Sequence, residues 1–285
     1  MAGGRGTARA ADGFELAVTR FPAAGEARGT LLFAGAMGVR QDFYAPLAAF
    51  LADGGLHALT FDYRGMGWSR RGSLRGFETD VTRWAERDLN AMLHEARRLA
   101  PSKPLFVLGH SLGGQILGVA PDNAMVSAAV TVTAGSGYYR FNDRMPGRVR
   151  LLWFVAIPAL TPLFGYFPGR PLRMVGDLPR GVARQWRGWC LHPNYLLREG
   201  AAARAAFDRV KAPILGYSFE DDDLITRPAI DHLHGFYRNA AVERRHVRPQ
   251  GRRIGHFGYF SERSRDTLWQ DSLEWLRGRA ASAGT

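Results

Sequence analysis

The 285 residues are 46% apolar, enough to bury the core of one sizeable α/β domain with an insertion rather than two equal domains. The net charge of +12 is almost all arginine, with lysine only at Lys103 and Lys211. Because the arginines are scattered rather than gathered in a stripe, nucleic acid is not expected as a partner, and anionic lipid or an acidic substrate remains for the charge to attract. A single cysteine, Cys190, excludes an internal disulfide and a cysteine metal cluster and fits a reducing cytoplasm.

Residues 1–7 contain no apolar core of signal-peptide length, so no secretion signal is expected and the segment reads as a frayed leader. Phe14 to Phe21 alternates apolar and polar residues, as a half-exposed edge strand does. Gly29 to Ala34 is continuously apolar, the pattern of a strand covered on both faces. A glycine-bracketed loop, Gly35 to Gly38, then leads to a helix from about Phe43 to Ala52. Next come a strand from His57 to Asp62 and a helix from Phe77 to Leu99 with Val81, Trp84, Leu89, Met92 and Leu93 at helical spacing.

A strand over Pro104 to Leu108 runs into Gly109-His110-Ser111-Leu112-Gly113-Gly114, and a helix from Leu112 to about Val119 follows. After the strand Ala128 to Ala134 the rhythm breaks. Residues 135–206 hold many aromatics and prolines and no convincing strand, and read as a helical insertion over the strand ends. Within it, Leu151 to Pro168 has roughly the length of a minimal membrane span. Pro158, Pro162 and Gly165 interrupt it and arginines flank both ends, so it is expected to roof a pocket and present an apolar face to lipid. Strand and helix resume with Ala212 to Ser218, a helix from Arg227 to Tyr237, the strand Val242 to Val247 and a last helix from Ser264 to Arg277. Such alternation predicts a mostly parallel sheet with helices on both faces.

The chemistry centres on Ser111. A strand, a tight glycine-flanked turn and a helix place a serine on a strained corner with its hydroxyl exposed. A serine hydroxyl needs a histidine to take its proton and a carboxylate to orient that histidine. In the chain order Ser, acid, His, the acid belongs after the strand ending near Ser218, where Glu220-Asp221-Asp222-Asp223 offers four carboxylates. Asp222 is the first choice, because the loop resembles related loops that place the acid one residue before an unspecific position and then an apolar pair, here Asp223 and Leu224-Ile225, and Asp221 is the second. His256, between the last strand and the last helix, is the base, while His110 and the other histidines read as packing or surface residues. Backbone N–H groups of Ala36 and Leu112 are assigned to an oxyanion hole, with Met37 as the alternative to Ala36. If the aromatics of the insertion line a pocket, Trp153, Phe154, Phe164, Tyr166, Trp186 and Trp189 face an apolar substrate.

Four blocks carry a family resemblance: Gly35-Ala36-Met37-Gly38 with Tyr44 downstream, Phe61-Asp62-Tyr63-Arg64-Gly65-Met66-Gly67-Trp68-Ser69, the Gly109 to Gly114 turn, and Ile254-Gly255-His256-Phe257-Gly258. The chain resembles serine hydrolases of the α/β-hydrolase superfamily, near bacterial serine aminopeptidase-like and monoglyceride-lipase-like proteins. It departs in carrying Ala34-Gly35 where many relatives have His-Gly. The resemblance implies an α/β-hydrolase core over 1–134 and 207–285 with a cap over 135–206, a triad of Ser111, Asp222 and His256, and no metal or organic cofactor. The expected reaction is hydrolysis of a carboxylic ester of an apolar acyl substrate, a small molecule. The same triad would serve a lysophospholipase or monoacylglycerol lipase, a thioesterase, an amidase or aminopeptidase, or an acyltransferase, and a hydrolase fold can also persist as an inert ligand-binding protein.

Overall fold

A computed structural model describes residues 3–172 and 174–282. Its strands in chain order are β1 (Gly4–Arg9), β2 (Glu15–Phe21), β3 (Thr30–Ala34), β4 (His57–Phe61), β5 (Leu105–His110), β6 (Ala128–Val132), β7 (Tyr166–Pro168), β8 (Asp177–Pro179), β9 (Ile214–Phe219) and β10 (Val242–Val247). Eight of them form one sheet in the order β1-β2-β4-β3-β5-β6-β9-β10. All neighbours from β4 to β10 run parallel, and β2 runs antiparallel to both β1 and β4.

The central strands read as unbroken apolar runs because both faces are covered. Leu31 and Phe33 of β3 point to one side with Leu47, Leu51 and Trp269, under the helices Ala45–Asp53 and 265–282. Leu32 and Ala34 point to the other side, with Trp84, Leu93 and Ile116, under the helices 81–99 and Leu112–Ile116. This period of two splits one strand between two cores. The rim strand β10 instead carries Glu243, Arg244 and Arg245, charges that discourage another chain from pairing there.

Three elements differ from the sequence reading. Strand β1, whose residues 4–7 fall in the expected frayed leader, takes the sheet edge that the alternation had assigned to β2; residues 1–2 of that leader lie outside the described residues. The long helix begins at Val81 rather than Phe77, because the Asp80 side chain accepts the Arg83 N–H at 2.7 Å and caps it there. Residues 135–206 contain a short antiparallel pair, β7 and β8, where no strand was expected. Three residues each, ending in Pro168 and Pro179, are too few to show a period. The helices of that segment are chiefly Pro146–Phe164, Arg180–Cys190 and Ala201–Asp208.

Candidate active site

The carboxyl ends of the parallel strands converge on one cavity, as ligand sites do in open α/β sheets. Ser111 stands at the end of β5 with φ 49° and ψ −111°, a conformation that costs a non-glycine residue roughly 1–3 kcal/mol. The Ser111 N–H donates to Val132 O at 2.9 Å, which ties the corner to the neighbouring strand. Close approach makes glycine obligatory at position 113: a Cβ there would fall 1.9 Å from Ala34 O. At Gly109 a Cβ would fall 2.6 Å from the Gly114 backbone, so strand and helix meet only through bare Cα atoms. Ser111 lines the cavity and stays partly exposed while Leu112, Gly113 and Gly114 are buried.

The four carboxylates after β9 have separate employments. Asp222 is 1% exposed; its Oδ2 lies 2.8 Å from His256 Nδ1, and its Oδ1 accepts Leu224 N–H at 2.8 Å and Ile225 N–H at 3.1 Å. Asp221 accepts Ile254 N–H at 2.8 Å and Gly255 N–H at 2.9 Å, and so holds the backbone of the histidine loop rather than the imidazole. Asp223 pairs with Arg253, and Glu220 with Arg248 at 2.6 Å. His256 is buried and lines the cavity with Ser111; no direct hydrogen bond joins the two side chains among the described residues. Contacts of this kind are commonly loose before substrate arrives.

Hydrogen bonding distinguishes the two candidates for the first oxyanion donor, Ala36 and Met37, both of which line the cavity. The Ala36 N–H donates to Tyr44 Oη at 2.8 Å and is therefore already committed. Met37, the alternative, lines the cavity, and among the described residues its N–H and that of Leu112 have no partner within the protein. A bonding chain missed in the sequence continues from Tyr44. Its hydroxyl lies 2.9 Å from His110 Nδ1, and His110 Nε2 lies 3.1 Å from His256 O. Tyr44 Oη has one proton and already accepts from Ala36, so it donates to Nδ1; Nε2 then carries the ring proton and donates to the His256 carbonyl. Burial, with His256 nearby as the lesser cause, pushes His110 well below its ordinary pKa and keeps it neutral, as this chain requires. Gly35 to Gly38, the elbow and the histidine loop are thus joined beneath the cavity. The signal available was Tyr44 itself, a polar residue on the apolar face of a helix.

Asp62 performs a similar function one strand away. It accepts the Gln41 and Trp68 N–H groups, both at 2.9 Å, linking the loops that follow β3 and β4. Burial raises its pKa despite those bonds.

The cavity has a volume of about 170 Å³ and is walled chiefly by apolar groups. Of the six aromatics proposed for it, Trp153 and Trp186 line it, their rings edge to face at 4.6 Å. Trp189 does not: it is buried against Tyr195 and donates its Nε1–H to Glu199 at 2.5 Å. Phe154 and Phe164 are turned outward at 50% and 40% exposure, and Tyr166 packs near Phe164, so none of the three reaches the cavity. Helical spacing decides this, since residues 152 and 153 face inward and their neighbours 151 and 154 cannot. The remaining wall comes from Tyr138, Tyr139 and Phe141 after β6 and from Leu224 and Ile225 beside Asp222.

Solved structures of similar shape include esterases and monoglyceride lipases. A thermostable carboxyl esterase from Bacillus coagulans in complex with glycerol has a TM-score of 0.68 at 14% identity, over 98% of this chain and 99% of that one. A soluble variant of monoglyceride lipase from Saccharomyces cerevisiae in complex with a substrate analogue has a TM-score of 0.65 at 18% identity, over 98% and 96%. The monoacylglycerol lipase of Paleococcus ferrophilus has a TM-score of 0.62 at 16% identity, over 93% and 99%. No curated protein matches the sequence. Residues 31–267 match the Alpha/beta hydrolase family, and with the strand order, elbow and cavity described above the chain belongs to that family.

Proposed function

We propose that the protein is a serine hydrolase that cleaves carboxylic esters of apolar acyl substrates through an acyl-enzyme on Ser111. The observation that carries this reading is the buried Asp222–His256 hydrogen bond, 2.8 Å long, in the wall of the cavity that Ser111 also lines. Asp222 fixes the proton on Nδ1, which leaves His256 Nε2 as the base toward the serine. Ser111 Oγ attacks the acyl carbonyl as Nε2 takes its proton; the oxyanion is held by the N–H groups of Met37 and Leu112; His256 then gives the proton to the departing alcohol. Water repeats the sequence and releases the acid.

Apolar walls select the acyl group and lower the local dielectric, so the two N–H donors act on the oxyanion more strongly than they would in water. The resemblance in shape to esterases and monoacylglycerol lipases supports esters as the substrate class. A fluorophosphonate probe should label Ser111 in the wild type, fail to label Ser111→Ala and label His256→Ala far more slowly. Labelling of another residue, or none, would overturn the reading.

A further inference from the structure

The helix Pro146–Phe164 presents apolar residues on two sides, and the cavity uses only one. Val149, Leu152 and Trp153 face the cavity. Leu151, Val155 and Leu163 stand outside at 49%, 55% and 69% exposure. Pro158 and Pro162, also exposed, extend the line from Leu151 and Val155 at steps of three and four residues, so one continuous ridge runs along the outer face. A contiguous apolar ridge left in water forfeits the stabilisation that burial would give, and such patches mark docking faces.

Beside the ridge lies a cleft between this helix and Arg180–Cys190. Ile157, Pro158, Thr161 and Pro162 form one wall; Arg180, Arg184, Arg187 and Arg198 supply the charge. Arg187 Nε donates to Trp153 O at 2.5 Å and Arg198 Nη1 to Gly188 O at 2.6 Å. Among the described residues none of the four forms an ion pair with a carboxylate. Asp80 and Glu199 stand beside Arg184 and Arg198 in the adjoining cleft without forming an ion pair with them; guanidinium groups gathered in one cleft repel one another, and a phosphate relieves that repulsion while matching their fork of donors. The flanking sequence has the same character: from residue 144 to 176 there are five arginines and no aspartate or glutamate.

We infer that this outer face docks on a bilayer containing anionic phospholipid, with the arginine cleft on headgroup phosphates and the Leu151–Leu163 ridge at the acyl boundary. A lipid surface offers phosphate and hydrocarbon side by side over the length of a helix, which is what the cleft and the ridge together fit. A second copy would bring one +12 molecule against another, arginine to arginine. The helix lies flat in the interface rather than across it, because its inner face is the cavity wall. Docking does not depend on the chemistry at Ser111, and the test uses Ser111→Ala beside the wild type to keep the two apart.

Sedimentation with phosphatidylcholine vesicles, with and without phosphatidylglycerol, measures the partition of the full chain. Binding is expected to the anionic vesicles, to weaken with salt, and to be equal in Ser111→Ala. Arg180→Gln and Arg184→Gln should each lower the partition about fivefold. Val155→Asp combined with Leu163→Asp should abolish it, with hydrolysis of a short water-soluble ester unchanged as the control for folding. Equal binding to neutral vesicles, or unchanged binding in the glutamine variants, would overturn the inference. So would two further results: inorganic phosphate bound at the cleft without vesicle binding, or concentration-dependent self-association that the aspartate variant removes.

Discussion

Tyr44 Oη accepts the Ala36 N–H at 2.8 Å, so the residue that follows Gly35 spends its amide on the protein interior, whereas the next amide, of Met37, has no partner within the protein among the described residues. This division of labour has a spectroscopic consequence. In a phosphonylated enzyme, whose phosphoryl oxygen stands where the oxyanion forms, the ¹⁵N–H resonances of Met37 and Leu112 should move strongly and that of Ala36 should stay close to its free position. A large shift at Ala36 with none at Met37 would restore the first assignment.

Removing the Tyr44 hydroxyl leaves His110 Nδ1 and the Ala36 N–H without partners in a buried place. Tyr44→Phe should therefore cost about 1–3 kcal/mol of stability, measured by urea unfolding. It should lower kcat more than it raises KM, because the loops it joins bear on the oxyanion and on His256 rather than on the acyl chain. A change confined to KM would disconnect this chain from the chemistry.

Asp222 and Asp221 adjoin, yet they hold different things, a ring nitrogen and two backbone amides. Asp222→Asn should cut kcat by about 10⁴-fold, because the amide favours the wrong imidazole tautomer. Asp221→Asn should act through the loop, with a lower melting temperature and a much smaller loss of kcat. Steady-state kinetics of the two variants on one nitrophenyl ester decides the matter.

Leu152 and Trp186 wall the cavity, whereas Trp189 is behind that wall. Leu152→Trp should shift preference along a nitrophenyl ester series toward shorter acyl groups, and Trp186→Ala toward longer ones. Trp189→Phe should leave the profile unchanged and lower stability. An unaltered profile in the first two variants would place the acyl chain elsewhere.

His234, 4% exposed and bonded to Thr131 Oγ1 at 3.0 Å, has its pKa lowered by burial to about 4. A depressed histidine pKa means that the unfolded chain binds the proton first, so stability is full above about 6.5 and is lost as pH falls through the window below it. Between pH 7 and pH 5 the wild type should lose about 2 kcal/mol relative to His234→Gln, read from urea unfolding at each pH. His110, also depressed by burial, adds a contribution of the same sign in both proteins.

Much of this was legible along the chain because the relevant physics is local. Gly109 and Gly113 around Ser111, the period of two in β2, the unbroken apolar runs of β3 and β5, and the order Ser111, Asp222, His256 are patterns of near neighbours or of order, and the chain states both directly. What the sequence could not show was contact between distant residues. It ranked Asp222 before Asp221 only by the likeness of its loop to related loops; the fold turns Asp222 toward an imidazole 34 positions later and Asp221 to the loop backbone. It offered six aromatics, and the phase of one helix against the cavity kept Trp153 and turned Phe154 away. It offered two amides, and a tyrosine hydroxyl arriving from the next helix took one of them. Covalent order and side-chain period belong to the sequence alone; which donor meets which acceptor is decided only when strands far apart in the chain lie side by side and each buried polar group must find a partner.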